Sequence, residues 1–371
     1  MKPETLTSNR LLSIDALRGF DMLMISGGGA VIASLEGKTD IAFLNILGGQ
    51  FHHPAWNGFS FYDFIFPLFL FISGVSLPFS LNKGLQNGLS KKDLYKKSFT
   101  RMMILIGLGI LYKNAPIPFF DWQQIRFVSV LGRIGFAGFI TTLIYLNFPL
   151  KGRVLWAFGI LVFYYLCLTF VPVPGFGPGD LSFEGNFTGW FDRTFLPGRL
   201  AQKTYDENGL FTQLPALCLT IFGALAGEVL RNRELGSGKK LQYLLVAGIT
   251  GIISGLLWGL FFPINKHLWS SSFIMLTGGM AFLAMALFYW IIDVKGYKRW
   301  AFFFQVIGLN SLNIYLATKL IDFGNTSRLL IGGLYGVMDE KWHPFFQQAG
   351  ALVLVWLLLY FLYRNRLFLK V

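Results

Sequence analysis

The chain has 371 residues, 54% hydrophobic and only 14% charged, where soluble domains carry about 25% charged residues. Its formal charge of +13 would in a soluble protein raise nucleic-acid binding. With a mean hydropathy of +0.55 the surplus reads instead as loop charge that orients a membrane protein, so a soluble enzyme and a nucleic-acid module are both excluded.

A spanning helix needs about 20 mostly apolar residues, and ten stretches are candidates. They cover residues 12–35, 62–81, 98–112, 127–146 and 154–171, then 214–230, 241–262, 270–292, 300–317 and 345–363. The expectation is an all-α, polytopic membrane helix bundle of about ten transmembrane helices forming a single domain over 1–371. No cleavable signal peptide is expected, because the first apolar run is too long and lacks a small-residue exit. The one long connection, 172–213, is rich in Gly, Pro and aromatic residues and predicts a folded lid within that domain. Cys167 and Cys218 are the only cysteines, and no Cys/His spacing resembles a metal site.

Ten spans put both termini on one side. Twenty basic residues then fall on that side, including Lys2, Arg10, Lys91, Lys92, Lys96, Lys97 and Lys370, against ten on the other. The positive-inside rule makes the termini cytoplasmic. The expected location is the inner membrane of a bacterium.

Within the first span Asp15, Arg18 and Asp21 are spaced three apart, so they are neighbours on a helix. They form either a charge-compensated cluster or a cytoplasmic anion site; both readings stay open. Gly27, Gly28 and Gly29 read as close helix packing rather than a phosphate loop, since no strand precedes them. The stretch FHHPAWNGFSFYDFIFPLFLFISG, 51–74, is the chemical centre. His53, Asn57 and Asp63 stand at the outer lip of a span, where an acid can orient an imidazole as a general base. Arg133 falls about seven residues into the fourth span and needs an acid or an anionic ligand. Asn310 and Asn313 lie inside the ninth span, and amides there often join helices. Asn265 and Lys266, in FPINKHLW, can reach the same mouth. His267 and His343 read as solvated or structural.

In order, the segments RLLSIDALRGF, HPAWNGFSFYDFIFPLFLFISG, VLGRI, LPALCLTIFGALAG, FPINKHLWSSSF and IGLNSLNIY resemble the transmembrane acyltransferases related to heparan-α-glucosaminide N-acetyltransferase, including bacterial members linked to glucosamine use. The resemblance runs from about Leu11 to Tyr315. It implies acetyl transfer from cytoplasmic acetyl-CoA to an amino sugar on the far side, with His53 as the active histidine; His52 matches nothing in the pattern. No counterpart of the lysosomal enzyme's lumenal domain is expected, so a heparan-like polymer gains no support as substrate.

Together these readings give His53, Asn57 and Asp63 as catalytic candidates, and Arg18, Arg133 and Asn310 as candidates for acetyl-CoA. Asn265 and Lys266 are candidates for the sugar. No metal and no nucleic acid are expected; the lipid bilayer is a partner, and a homodimer is left open. His53 is either a general base or a transient acetyl carrier, with Asn57, Lys266 or Arg133 stabilising the oxyanion. The rival is a transporter or flippase for a sugar or lipid-linked sugar, which a Gly-rich first helix and midspan Asn310 would also suit.

Overall fold

The computed structural model describes residues 11–118 and 120–368. Lys2, Arg10 and Lys370, used above to orient the chain, lie outside the described residues.

Helices account for all the regular structure among the described residues, apart from two isolated bridges. In chain order they are α1 (Leu12–Ala33), α2 (Ala42–Gly49), α3 (Phe61–Gln86), α4 (Lys91–Asn114) and α5 (Val130–Asn147). Next come α6 (Leu150–Phe170), α7 (Phe187–Phe195), α8 (Gln213–Arg231), α9 (Ser237–Gly259) and α10 (Ser271–Val294). The last are α11 (Ala301–Gly308), α12 (Ser311–Leu320), α13 (Phe323–Ile331) and α14 (His343–Arg364). Eight helices among the described residues are long and apolar enough to cross a membrane, and α11 with α12 adds a ninth span broken by a 68° bend. The chain is an integral membrane protein built as an all-α bundle. The tenth expected span is α4: a continuous helix, but Arg101 and Lys113 bracket an apolar stretch shorter than the about 20 residues a span needs.

Contacts divide the chain into two compact units. Among the described residues the first is 11–49, Ser237–Leu241 and 283–368; the second is Gln50–Gly236, apart from 119, and Gln242–Phe282. In the first, α1 and α11 meet backbone to backbone. A Cβ on Gly19 would lie 1.8 Å from the Phe304 carbonyl oxygen, and one on Gly308 2.2 Å from that of Asp15. Gly27 has a different function from the packing expected of it. It sits in a π-helical turn, Met24–Gly28, with φ of 140°, a backbone state that disfavours any side chain.

The second unit is organised on α3 and α8. Thr220 leaves no room for a Cβ on Gly74, and Gly223 and Gly227 press in the same way on the carbonyls of Phe71 and Val75. Small residues four apart let two spanning helices touch along their backbones, gaining dispersion contact where lipid offers no hydrophobic drive. The 172–213 connection contains a short helix and an apolar cluster. Its helix α7 starts at Asn186, whose side chain accepts from Gly189 N, and Phe187 and Phe211 pack with Tyr164, Leu168 and Val173 into one apolar cluster. Both cysteines are free thiols, with Cys218 buried.

Candidate active site

The second unit brings two short segments together in front of α3. The first, His53 to Gly58, is anchored by Phe51, which is buried against the rings of Phe61 and Tyr62. The second, Ile264 to Ser270, is a tight turn stabilised by Asn265. Its backbone N–H donates to Ser270 Oγ (3.1 Å), and its side-chain oxygen accepts from Leu268 N (2.8 Å). The Asn265 amide donates across to Asn57 Oδ1 (2.9 Å), and Gly58 N donates to Ile264 O (2.9 Å). Gly58 can do this because its φ is 123°. Asn265 is therefore fully buried and engaged in joining the segments, while Asn57 keeps an exposed amide.

Asp63 sits in the first turn of α3, and its two oxygens do different things. Oδ2 closes a capping box, accepting from Ser60 N (3.0 Å) and Ser60 Oγ (3.2 Å). Oδ1 lies 2.7 Å from His53 Nδ1 and 3.3 Å from Lys266 Nζ. An ionised carboxylate can only accept, so the proton of the imidazole is on Nδ1 and the lone pair on Nε2. The helix N-terminus further favours the negative charge. His53 also stacks on Tyr62, with centroids 5.0 Å apart. Lys266 Nζ is 3.1 Å from Nδ1 and 3.0 Å from Nε2. Being equidistant from both, it stands beside the ring rather than on one lone pair, and it puts a cation at the exposed edge of the imidazole.

A second cluster adjoins the first through the next residue in the chain. His267 lies flat on Trp56 (5.3 Å between centroids, 10° between planes), and its Nδ1 is 3.0 Å from Glu207 Oε1 and 2.8 Å from Tyr205 OH. Trp56 in turn donates to Leu181 O (2.9 Å) in the lid. Burial alone would push the Glu207 carboxyl up, but the hydrogen bond from His267 and the charges of Lys266, His267 and His53 hold it down to about 2. Burial raises the Tyr205 hydroxyl, aided by the neighbouring acids Glu207 and Asp206. Deeper in the lid Asp192 is pushed up to about 7, chiefly by burial and despite the N–H of Leu210.

Arg133 is fully buried under the indole of Trp269, 4.3 Å from its centroid. Its Nη2 donates to Glu207 O (2.7 Å) and Thr212 Oγ1 (2.5 Å). Nε and Nη1 have no hydrogen-bond partner among the described residues. It occupies the first turn of α5, not the interior, because Ser129 caps the helix by accepting from Gly132 N. The nearby acid Asp206 instead holds Arg126 through two bonds of 2.7 Å.

Arg18 and Asn310 belong to the first unit. Arg18 faces Asp15 at 3.7 Å, while both oxygens of Asp21 are buried without a hydrogen-bond partner among the described residues. Asn310 stands at the bend between α11 and α12, where its Nδ2 donates to Val306 O (3.2 Å) and its Oδ1 accepts from Asn313 (3.0 Å). His343 stacks on Tyr335 and contacts its carbonyl. The structure thus gathers His53, Asn57, Asp63, Asn265 and Lys266 within one unit. It adds Glu207, His267, Tyr205 and Trp56, none of which the sequence had marked as functional.

Residues 10–254 match the family described as heparan-alpha-glucosaminide N-acetyltransferase, catalytic. The chain is 27% identical to the mouse (Mus musculus) heparan-alpha-glucosaminide N-acetyltransferase, over 100% of this chain and 62% of that protein. It is also 27% identical to the human (Homo sapiens) protein of that name, over 98% of this chain and 60% of the relative. It therefore spans about three-fifths of the length of these curated relatives. The matched region includes His53, Asp63, Arg133 and Glu207 and ends before the turn that carries Lys266.

Proposed function

The chain belongs to the heparan-alpha-glucosaminide N-acetyltransferase catalytic family, and from that premise we propose that it is a transmembrane N-acetyltransferase. It moves an acetyl group from acetyl-CoA to the amine of a glucosamine-type sugar. The observation that carries this reading is the 2.7 Å contact of His53 Nδ1 with Asp63 Oδ1, which leaves Nε2 as a base at an exposed edge. As the acceptor nitrogen attacks the thioester carbonyl, Nε2 takes its proton. The tetrahedral intermediate carries an oxyanion, for which the ammonium of Lys266, 3.0 Å from Nε2, and the exposed amide of Asn57, on the same segment as His53, are the proposed donors. The carbon–sulfur bond then breaks, and the imidazolium returns the proton to the departing thiolate. Attack by Nε2 itself, giving an acetyl-histidine, uses the same tautomer.

The surplus of basic residues on the side of the termini supports acetyl-CoA entering from the cytoplasm and the sugar arriving at the outer face. Arg18 is the basic group of the first span that would meet the phosphates of CoA. A cysteine placed in the 91–97 segment should be shielded from an impermeant thiol reagent in intact cells, and one near Asp206, at the exposed Lys203, should react; the reverse pattern overturns the orientation. The decisive assay for activity is purified protein in detergent with acetyl-CoA and glucosamine, following free thiol. Thiol release that depends on glucosamine supports the enzyme. The broken span of α11 and α12 with Asn310 at its bend keeps a transporter as the second reading, and movement of sugar without thiol release would select it.

A further inference from the structure

An acceptor amine spends much of its time near neutral pH as an ammonium ion, and a cation entering this site needs an anion to meet it. Asp63 cannot be that anion. It is buried, and its oxygens are already engaged by His53, Lys266 and Ser60. Asp206 is locked to Arg126, and Asp192 is buried in the lid. Glu207 differs from all of them. Its Oε1 meets His267, no described residue donates to its Oε2, and its side chain is 32% exposed. It is also held in place, because Arg133 and Thr212 both donate to its backbone carbonyl. Burial pushes its carboxyl up, but the hydrogen bond from His267 and the charge of Lys266 outweigh that and keep it ionised at physiological pH. His267, its partner, is the chain neighbour of the lysine that stands 3.0 Å from His53 Nε2.

We infer that Glu207 is the receptor for the acceptor's ammonium group, a lid carboxylate that admits protonated amines and turns away neutral sugars. The inference rests on the N-acetyltransferase reading and deepens it. Glu207 Oε2 takes a charge-assisted hydrogen bond from the ammonium and holds the nitrogen near the His53 edge. The ammonium sheds one proton to solvent before attack. A second passes through His53 to the leaving thiolate, so one proton is released per turnover. The stacked rings of Trp56 and His267, with Tyr205 at their edge, fix the carboxylate from the other side.

The test uses the full chain in detergent. Glu207→Gln should raise the KM for glucosamine about tenfold or more, the scale of a charge-assisted hydrogen bond, with the KM for acetyl-CoA within about twofold. Calorimetric titration should show wild type binding glucosamine more tightly than glucose, and Glu207→Gln losing that preference. Glu207→Asp should recover part of it. A carboxylate that only latched the lid would behave otherwise: His267→Gln, which removes the latch but keeps the charge, would then match Glu207→Gln in both assays. That match, an unchanged glucosamine KM in Glu207→Gln, or both KM values rising together, overturns the inference. The titration needs no chemistry. Absence of acetyl transfer with the binding preference intact would reject the transferase reading while leaving the carboxylate's role standing.

Discussion

The site contains two imidazole–carboxylate pairs built in opposite senses. In His53–Asp63 the acid is buried, at 1% exposure, and the imidazole is 41% exposed; in His267–Glu207 the imidazole is 14% exposed and the acid 32%. The first pair presents a base and hides the group that orients it. The second presents a negative charge and hides the group that anchors it. The same two side-chain types at hydrogen-bond distance would therefore serve different chemistry in the proposed reaction, because burial sets which member of each pair is open to solvent. Lys266 links them. Its ammonium answers Asp63 and leans on His53, and its chain neighbour supplies the other imidazole.

The largest effect should come from removing the exposed member of the first pair. His53→Ala is expected to lose about 10² to 10⁴ in acetyl-transfer rate, measured by thiol release, while acetyl-CoA binding persists. Incubation of wild type with radiolabelled acetyl-CoA and no sugar separates the routes. Label on the protein that is absent from His53→Ala means an acetyl-histidine intermediate. Near-normal turnover in a folded His53→Ala would remove the histidine from the mechanism and, with it, the contrast between the pairs.

The hidden member of that pair comes next. Asp63→Asn keeps the shape but places an N–H donor against Nδ1, which drives the imidazole proton to Nε2 and abolishes the base. A loss in kcat of about 10²-fold or more is expected, with KM for either substrate little changed. An equal loss in kcat and in melting temperature would instead assign Asp63 to the capping box alone.

Arg133 tests the scaffold of the second pair. Arg133→Lys removes a planar donor shared by Glu207 O and Thr212 Oγ1, a loss of about 1–3 kcal/mol in a buried setting. The expected result is a lower melting temperature with a higher KM for the sugar. A higher KM for acetyl-CoA with unchanged melting would return Arg133 to the cofactor.

The first pair was legible in the sequence and the second was not, for a physical reason. His53 and Asp63 are ten residues apart, within one stretch where a polar turn runs into an apolar helix, so local pattern alone marks them. Glu207 and His267 are sixty apart and meet only through the course of the 172–213 connection, whose aromatic content carries no register. Arg133 was misplaced by about a turn because Ser129 starts α5 later than hydropathy suggests. Gly27 reads as packing by composition, yet its φ shows that it supports a kink. The spans themselves follow from apolar length, except α4, whose charged first half blurs its edge, and the ninth, which a 68° bend breaks into α11 and α12.

The smallest and most local effect concerns Asp192, the acid that neither pair uses. Its side chain accepts from Leu210 N at 2.8 Å, next to the Phe211 ring that closes the lid's apolar cluster. Burial has raised it from an ordinary 3.8 to about 7. A carboxyl whose folded value is raised binds more protons when folded, so its contribution to stability is complete below about 4 and is lost as pH rises through about 7. Glu207 runs the other way: its contribution holds above an ordinary 4.5 and is lost only as pH falls toward about 2. Between pH 5 and 8, therefore, only Asp192 of these two should tilt the lid. Amide exchange at Leu210 and Phe211 should quicken as pH rises across that window, after correction for the intrinsic rate. Asp192→Asn should flatten the slope while leaving the exchange of α3 and α8 unchanged. A slope that survives the substitution would mean that the acid is not what loosens the lid.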